Sequence, residues 1–378
     1  MKSFFSMTLV CVLTAALLSS CLPAPASSVP SSSSLQEASS TAASSQIALS
    51  STSSQAVSGQ QLVFHPEYMR QTISQYGYID TNGTLHWNPD FIERKLIGEY
   101  GLNDYAKALQ ELTKRNGAVS FCVAPLTYEV LVLWEDSSMT ALKAEFSPMA
   151  GPGIEISEKE WGKVAAEEEE NVAALACGQE FGPFYLKKDG SVWLSFREEP
   201  ERSGAMQISL DPSDSRLDVL TEGGTLEAKL IEQLQTEEER SEAASWQDIV
   251  QMMSYDMIVY ALHADGSLTR ARKSDYPYGR AEQQYPWPSE PVNVVRLFPG
   301  TGWYLTADGT LYHLDINSEF PSNKTISGMQ EVDQIFSEGS YALMKDGSIR
   351  PLDSQAEQDK ALSEWLNSVQ NVMTVTTE

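Results

Sequence analysis

Short apolar runs alternate with polar turns along most of this chain, and they follow one grammar. The clearest instance is residues 171–193, NVAALACGQEFGPFYLKKDGSVW. Two β-type runs, Val172–Ala176 and Phe184–Lys187, precede a Lys188-Asp189-Gly190 turn, and a third run follows at 191–196. Runs of this length bounded by turn residues predict one small antiparallel sheet. If Gly190 takes the left-handed conformation that a bulged three-residue hairpin requires, Leu186 and Val192 face each other across the two strands. Glycine enters that region without a Cβ clash.

The grammar is an aliphatic residue four before the turn position and another two after it. It recurs as Ile79/Gly83/Leu85, Leu133/Ser137/Met139, Leu186/Gly190/Val192, Leu220/Gly224/Leu226, Leu262/Gly266/Leu268, Leu305/Gly309/Leu311 and Leu343/Gly347/Ile349. Asn or Asp precedes the turn position in six of the seven, and Ser or Thr follows it in all seven. Those side chains suit a tight turn, because they bond to backbone two residues away. Ser137 and Gly223 are the departures, the first requiring a Cβ in the left-handed region. Spacings of 54, 53, 34, 42, 43 and 38 residues make this an internal repeat, each unit being one supersecondary element.

The repeats resemble those of the β-propeller family named after the regulator of chromosome condensation. The resemblance rests on a Trp or acidic lead-in, a Val-rich strand, and then Leu-x-x-Asp-Gly-Ser/Thr-aliphatic. It is clearest in residues 246–270 (WQDIVQMMSYDMIVYALHADGSLTR), 171–193, 292–312 and 332–350, and covers roughly residues 61–378. Units one, two and four match it least. The first unit, GYIDTNGTLHW at 77–87, also resembles a different bacterial repeat built on Gly-Tyr-Ile-Asp. The implied fold is all-β, a seven-bladed β-propeller with short helical insertions, closed by a C-terminal strand. That closing strand is expected at 369–375 (VQNVMTV), which resembles a unit's opening strand but has no turn after it, whereas the first turn lacks a good opening strand. The family implies a rigid scaffold that binds through its faces and loops. Some relatives act as nucleotide-exchange factors for small GTPases and one secreted bacterial relative inhibits β-lactamases. No exchange-loop residues can be matched here, so neither activity transfers.

Two stretches interrupt the pattern. Residues 89–117 place Phe91, Ile92, Leu96, Tyr100, Tyr105, Ala108, Leu109 and Leu112 at helical spacing, predicting two short amphipathic helices on the rim, broken near Gly101-Leu102-Asn103 with Asn103 or Asp104 as cap. Residues 225–244 predict a strand running into a helix. The acidic run 167–170 reads as a solvated helix end or loop rather than a metal site.

The first 60 residues have another character. One Lys precedes the apolar 4–18, too short for a comfortable membrane span, and Leu18-Ser19-Ser20-Cys21 follows. That ending resembles the lipobox of bacterial lipoproteins, which implies cleavage before Cys21 and lipidation there. Residues 22–60 are mostly Ser and Ala, too poor in apolar surface to offset the entropy of ordering. As a flexible tether of about 39 residues they would reach ~35 Å. The expected organisation is thus a signal peptide at 1–20, the lipidated cysteine and tether at 21–60, and the propeller at 61–378. The expected location is the extracytoplasmic face of a bacterial membrane, reached by the lipid anchor only.

Charge narrows the partners. Without Lys2 the chain has 25 basic against 52 acidic side chains. Such an excess favours solubility and repels phosphate backbones, so nucleic acid is an unsuitable partner. We expect a monomer whose ligand is a protein or a cell-wall or glycan polymer. Of four cysteines, Cys11 lies in the signal segment, and Cys122 and Cys177 precede their turn positions by similar distances, fifteen and thirteen residues. Equivalent strands of neighbouring blades should hold them beyond the ~7 Å Cα limit of a disulfide, which predicts two buried thiols.

Candidate chemistry is sparse. His65, His86, His263 and His313 show no close pair at ligand spacing. Phosphate-loop, nucleophile-elbow and Ser-x-x-Lys motifs are absent from the sequence, and no cofactor or metal is indicated. Carboxylates brought together at a propeller channel would make the alternative a secreted hydrolytic enzyme. The stretch richest in binding-type residues is 270–291 (RARKSDYPYGRAEQQYPWPSEP). It gathers Arg270, Arg272, Lys273 and Arg280 with Tyr276, Tyr278, Tyr285 and Trp287, the side chains that concentrate binding energy. Pro277, Pro286 and Pro288 make it a stiff loop, and it inverts the sign of an acidic chain. The bland alternative has its rings folded onto the sheet and its cations neutralising nearby acids.

Overall fold

Each turn motif folds into the hairpin it predicts. Ile79 pairs with Leu85, Leu133 with Met139, Leu186 with Val192, Leu220 with Leu226, Leu262 with Leu268, Leu305 with Leu311 and Leu343 with Ile349. The six turn glycines have φ between 68° and 82°, and Ser137 adopts 66°. In four turns the Asp Oδ1 accepts both the backbone N–H and the hydroxyl of the following Ser, at 2.9 and 2.6 Å: Asp136 with Ser138, Asp189 with Ser191, Asp265 with Ser267, and Asp346 with Ser348. These bonds hold the four carboxyls below the usual range.

A computed structural model describes residues 61–145, 162–177, 182–211, 216–273, 291, 293–314, 324–337, 339–353 and 359–375, all within the compact unit Ala56–Glu378. Among them are seven antiparallel sheets, following one another in chain order, one per turn motif. Seven apolar clusters lie between successive sheets. Leu131 and Met139 meet Val172 and Tyr185, Leu186 and Val192 meet Ile208 and Val219, Leu262 meets Val294 and Leu297, and so on around to Phe336 and Leu343 against Ile73 and Val372. The ring closes, and the fold is a β-propeller.

Hydrogen bonds between units explain why the turns must be so tight. The turn carbonyl of one unit accepts from the N–H that opens the next: Ala118 to Gly83 at 2.9 Å, Val172 to Ser137 at 2.9 Å, Ala205 to Gly190 at 2.9 Å, Ile249 to Gly224 at 3.0 Å and Val294 to Gly266 at 3.0 Å. A Cβ on Gly83 would lie 2.8 Å from the Gly117 nitrogen. A second left-handed residue precedes most opening strands, at Gly117, Asn171, Gly204, Asp248, Asn293 and Asn371. Its regularity was not apparent from the hydrophobic pattern. One residue later the register of the opening strand shifts in five of these sheets, and the last sheet has the same bulge at Val332/Gln334.

Asn371 marks the closing segment. Val372 bridges Asp80, Met373 N–H donates to Ile79 O at 2.8 Å, and Thr81 N–H donates to Asn371 O at 2.9 Å. From there the strand is continued by the other end of the domain, Ile73–Ser74 pairing with residues 77–78, and the Thr72 hydroxyl donates to Met373 O at 2.6 Å. The opening strand of the first sheet is therefore a composite of two distant segments. The C-terminal contribution is shorter than the run 369–375, because the helix Lys360–Ser368 ends at Val369, its C-cap.

The insertion at 89–117 forms two helices, Asp90–Glu99 of π type and Asn103–Leu112, broken as expected. Phe91, Ile92, Leu96, Tyr105 and Leu109 pack into the cluster shared by the first two sheets. The cap expectation is corrected: Leu102 occupies the N-cap, no side chain bonds there, and Asn103 Nδ2 instead donates to Gly101 O at 3.2 Å. In the fourth unit only a bridge at Leu226 precedes the helices Ala228–Glu232 and Glu237–Ser245. The acidic run is likewise corrected, since Glu167, Glu168 and Glu169 belong to the strand Val164–Glu169. Its carboxylates are satisfied from alternate faces: Glu168 accepts from the Thr140 hydroxyl at 2.8 Å, and Glu169 pairs with Lys187 at 2.7 Å.

Candidate binding site at the ring axis

The strand nearest the axis in each sheet has one position that faces the next sheet. In register these positions are Thr72, Ser120, Ala174, Gln207, Gln251, Arg296 and Gln334, the last six lying opposite Leu133, Leu186, Leu220, Leu262, Leu305 and Leu343. A glutamine amide offers a donor and an acceptor side by side, which matches a backbone N–H and C=O. Gln207 Oε1 receives Met252 N–H at 2.8 Å while its Nε2 donates to Met252 O at 2.8 Å. Gln251 does the same for Leu297, at 2.8 and 3.0 Å. Gln334 receives Thr72 N–H at 2.9 Å and donates to its hydroxyl at 2.7 Å. These buried amides bind neighbouring sheets together at the axis. Sequence reasoning passed over them, although the string apolar-x-Gln-apolar was there to be read at all three, three residues after the left-handed position at Gln207 and Gln251.

Beside this ring lies an open cavity of about 260 Å³, lined by residues from the axial strands of six sheets. The chain before the first sheet borders it: Leu62 N–H donates to Ala264 O at 2.8 Å, a helical turn Pro66–Met69 follows, and Met69 packs on the cluster between sheets three and four. The Tyr68 ring lies 4.1 Å from the Arg296 guanidinium, which also lies 4.9 Å from the Phe298 ring. Burial pushes the Arg296 pKa down, against the opposing pull of Asp333, Tyr68 and Glu67. The described lining residues include aromatic, hydroxyl, amide and guanidinium groups, and no carboxylate. No group of three His, Cys, Asp or Glu able to hold a metal occurs among the described residues.

Cys122 and Cys177 also line the cavity, and here the expectation of free thiols fails. Their Cα atoms are 6.0 Å apart and the sulfurs form a disulfide. Equivalent positions diverge with distance from the axis, but these two sit on the strand nearest it and just past its neighbour's end, where adjacent sheets converge.

The residues selected from the loop 270–291 are only partly placed. Cys21, Tyr276, Tyr278, Arg280, Tyr285 and Trp287 lie outside the described residues. Arg270 and Arg272 belong to the strand Leu268–Arg272. Arg270 lies opposite Tyr260, and its pKa is lowered by burial. Arg272 Nε donates to Glu239 Oε1 at 2.8 Å, tying the strand to the helix Glu237–Ser245. Lys273 is wholly buried, 2.6 Å from Asp218 and 3.6 Å from Asp211. At this end of the loop the cations answer acids of the same domain.

Elsewhere, between sheets two and three, the buried Glu129 accepts a hydrogen bond from the Ser195 hydroxyl, and burial raises its pKa to about 6.

The repeated hairpin, the sheet-by-sheet order and the closed ring define a β-propeller. Among solved structures the chain is similar to Prp20p from Saccharomyces cerevisiae, studied for its binding to Gsp1p and histones, at 14% identity and a TM-score of 0.41, covering 76% of this chain and 84% of that one. It is similar also to yeast RCC1 (Prp20) in complex with Kap60, at 14% identity and 0.37, covering 77% and 79%. Human WBSCR16 follows at 17% identity and 0.28, covering 61% and 60%. No family model and no curated protein matches the chain.

Proposed function

We propose that the protein is a lipid-anchored, non-catalytic binding scaffold on the outer side of a bacterial membrane, holding its propeller on the 21–60 tether to meet a protein or a cell-wall or glycan polymer. The observation that supports binding most directly is the axial cavity, whose described walls are aromatic, amide, hydroxyl and guanidinium groups. Such groups confer recognition, and the channel carboxylates required by the hydrolase reading are not among them. The anchor reading rests on Leu18-Ser19-Ser20-Cys21 and the Ser/Ala tether.

Fractionation of cells expressing the wild-type chain and Cys21→Ala, followed by capture from envelope extract with the soluble variant, tests both halves. Cys21→Ala should move from membrane to soluble fraction. The soluble variant should retain a discrete partner that is lost when Tyr276, Tyr278, Tyr285 and Trp287 are all replaced by Ala. Undiminished membrane retention of Cys21→Ala refutes the anchor. Normal capture by the quadruple variant moves the contact surface away from 270–291.

A further inference from the structure

Three of the seven junctions between sheets share a glutamine device that the other four lack, and one of those four places a cation there instead. At junctions four–five, five–six and seven–one a glutamine oxygen receives the backbone N–H of the next axial strand. At junction six–seven the same position is Arg296, paired with Leu305 as Gln251 is with Leu262. Arginine has five donors and no acceptor, so it cannot receive the N–H of Ile335, the register counterpart of Met252 and Leu297. The substitution removes an acceptor and adds a cation at one point of the ring.

Among the described residues no hydrogen bond to Arg296 Nε compensates for it. Arg296 is 7% exposed, and its Nε is buried without a hydrogen-bond partner. The Ser337 hydroxyl, which lines the same cavity, is also buried without one. The Tyr68 and Phe298 rings lie 4.1 and 4.9 Å from the guanidinium carbon and leave its Nε without a hydrogen-bond partner. The charges that face it are Asp333 and Glu67, with the Tyr68 phenol. Asp333 Oδ2 already receives Val375 N–H at 2.7 Å and Gln334 Nε2 at 3.1 Å, its Oδ1 is buried without a hydrogen bond to Arg296 or any other group, and Glu67 bonds His65 at 3.0 Å. A buried, unsatisfied Nε donor is expensive unless an acceptor arrives, and a planar carboxylate matches the guanidinium fork.

We propose that the axial cavity binds a small carboxylate, received by the Arg296 edge and the Ser337 hydroxyl, with its organic body against the Phe298 and Phe336 rings. This goes beyond the scaffold reading, because it assigns a small-molecule site that a macromolecular partner does not need. The cavity of about 260 Å³ holds roughly nine waters' worth of liquid at about 30 Å³ each, room for a ring-sized acid.

Calorimetric titration of the soluble Cys21→Ala chain with benzoate tests this, with benzamide as the neutral isostere and inorganic phosphate as the other anion. Benzoate should bind, and benzamide about tenfold or more weakly, the loss expected for a charge-assisted hydrogen bond. Arg296→Gln installs the amide found at three other junctions, so it should keep the fold and lose benzoate affinity by about tenfold or more. Ser337→Ala should weaken benzoate to a smaller degree. The proposal is overturned if millimolar benzoate gives no binding, if benzamide or phosphate binds as well, or if Arg296→Gln titrates like the parent. The comparison of benzoate with benzamide on the parent chain decides the matter even if the arginine variant misfolds.

Discussion

Glu129→Gln should stabilise this protein at neutral pH and have no effect in acid. Glu129 is 7% exposed, and burial raises its carboxyl from the ordinary 4.5 to about 6. The Ser195 hydrogen bond and Lys143 oppose that rise, whereas Glu167 and Glu145 reinforce it. Because the folded state holds the proton more tightly than the unfolded one, stability falls as pH rises from 4.5 to 6. Above that range the penalty is complete, and below it there is none. At about 1.4 kcal/mol per tenfold in proton affinity, keeping this carboxylate ionised costs about 2 kcal/mol at pH 7. Glutamine has the same shape, keeps an oxygen for the Ser195 hydroxyl and never ionises. Urea unfolding of parent and variant across that pH range measures the difference at each pH, so titrations common to both chains cancel. A gain of about 2 kcal/mol near neutrality that vanishes in acid is expected. A constant difference at all pH values, or a variant less stable at neutral pH, would refute the assignment.

Cys122→Ser removes a cross-link between residues 55 apart, worth about 4 kcal/mol by loop entropy. Its urea midpoint should fall to that of the parent chain in reductant; a parent indifferent to reductant would show that the bond does not form in solution. Deleting residues 365–378 removes Leu366 and Val372 from the cluster that joins the last sheet to the first, a loss of about 3–6 kcal/mol from their burial alone. The whole ring should lose stability in a single transition, and a monomeric truncation with the parent's melting temperature would show that the ring does not need closing.

Local rules determined much of this architecture in advance. A hairpin with a left-handed turn residue is specified within seven positions, so Leu186 facing Val192, or Leu305 facing Leu311, could be read from spacing alone. The seven turn motifs then set the order of sheets, because neighbours along the chain are neighbours in the ring. Even Ser137, where the rule demanded a strained Cβ, takes the left-handed conformation. What sequence could not decide were distances across the axis and partners far apart in the chain. Cys122 and Cys177 looked too distant because equivalent positions were assumed to be equally spaced, yet strands converge where they approach the axis and the pair closes to 6.0 Å between Cα atoms. The likeness of 369–375 to an opening strand announced the closing segment, but not that Val372 and Met373 supply only part of the first sheet's opening strand and residues 72–74 the rest. The acidic residues 167–169 form a strand because Thr140 and Lys187 on neighbouring strands receive their carboxylates, partners no local window contains. The candidate site belongs to the same kind of fact. Gln207, Gln251, Arg296 and Gln334 are unremarked polar residues in apolar strands until closure of the ring turns them toward one another's backbones. Only then does the arginine at one of these positions become a buried side chain whose Nε has no acceptor.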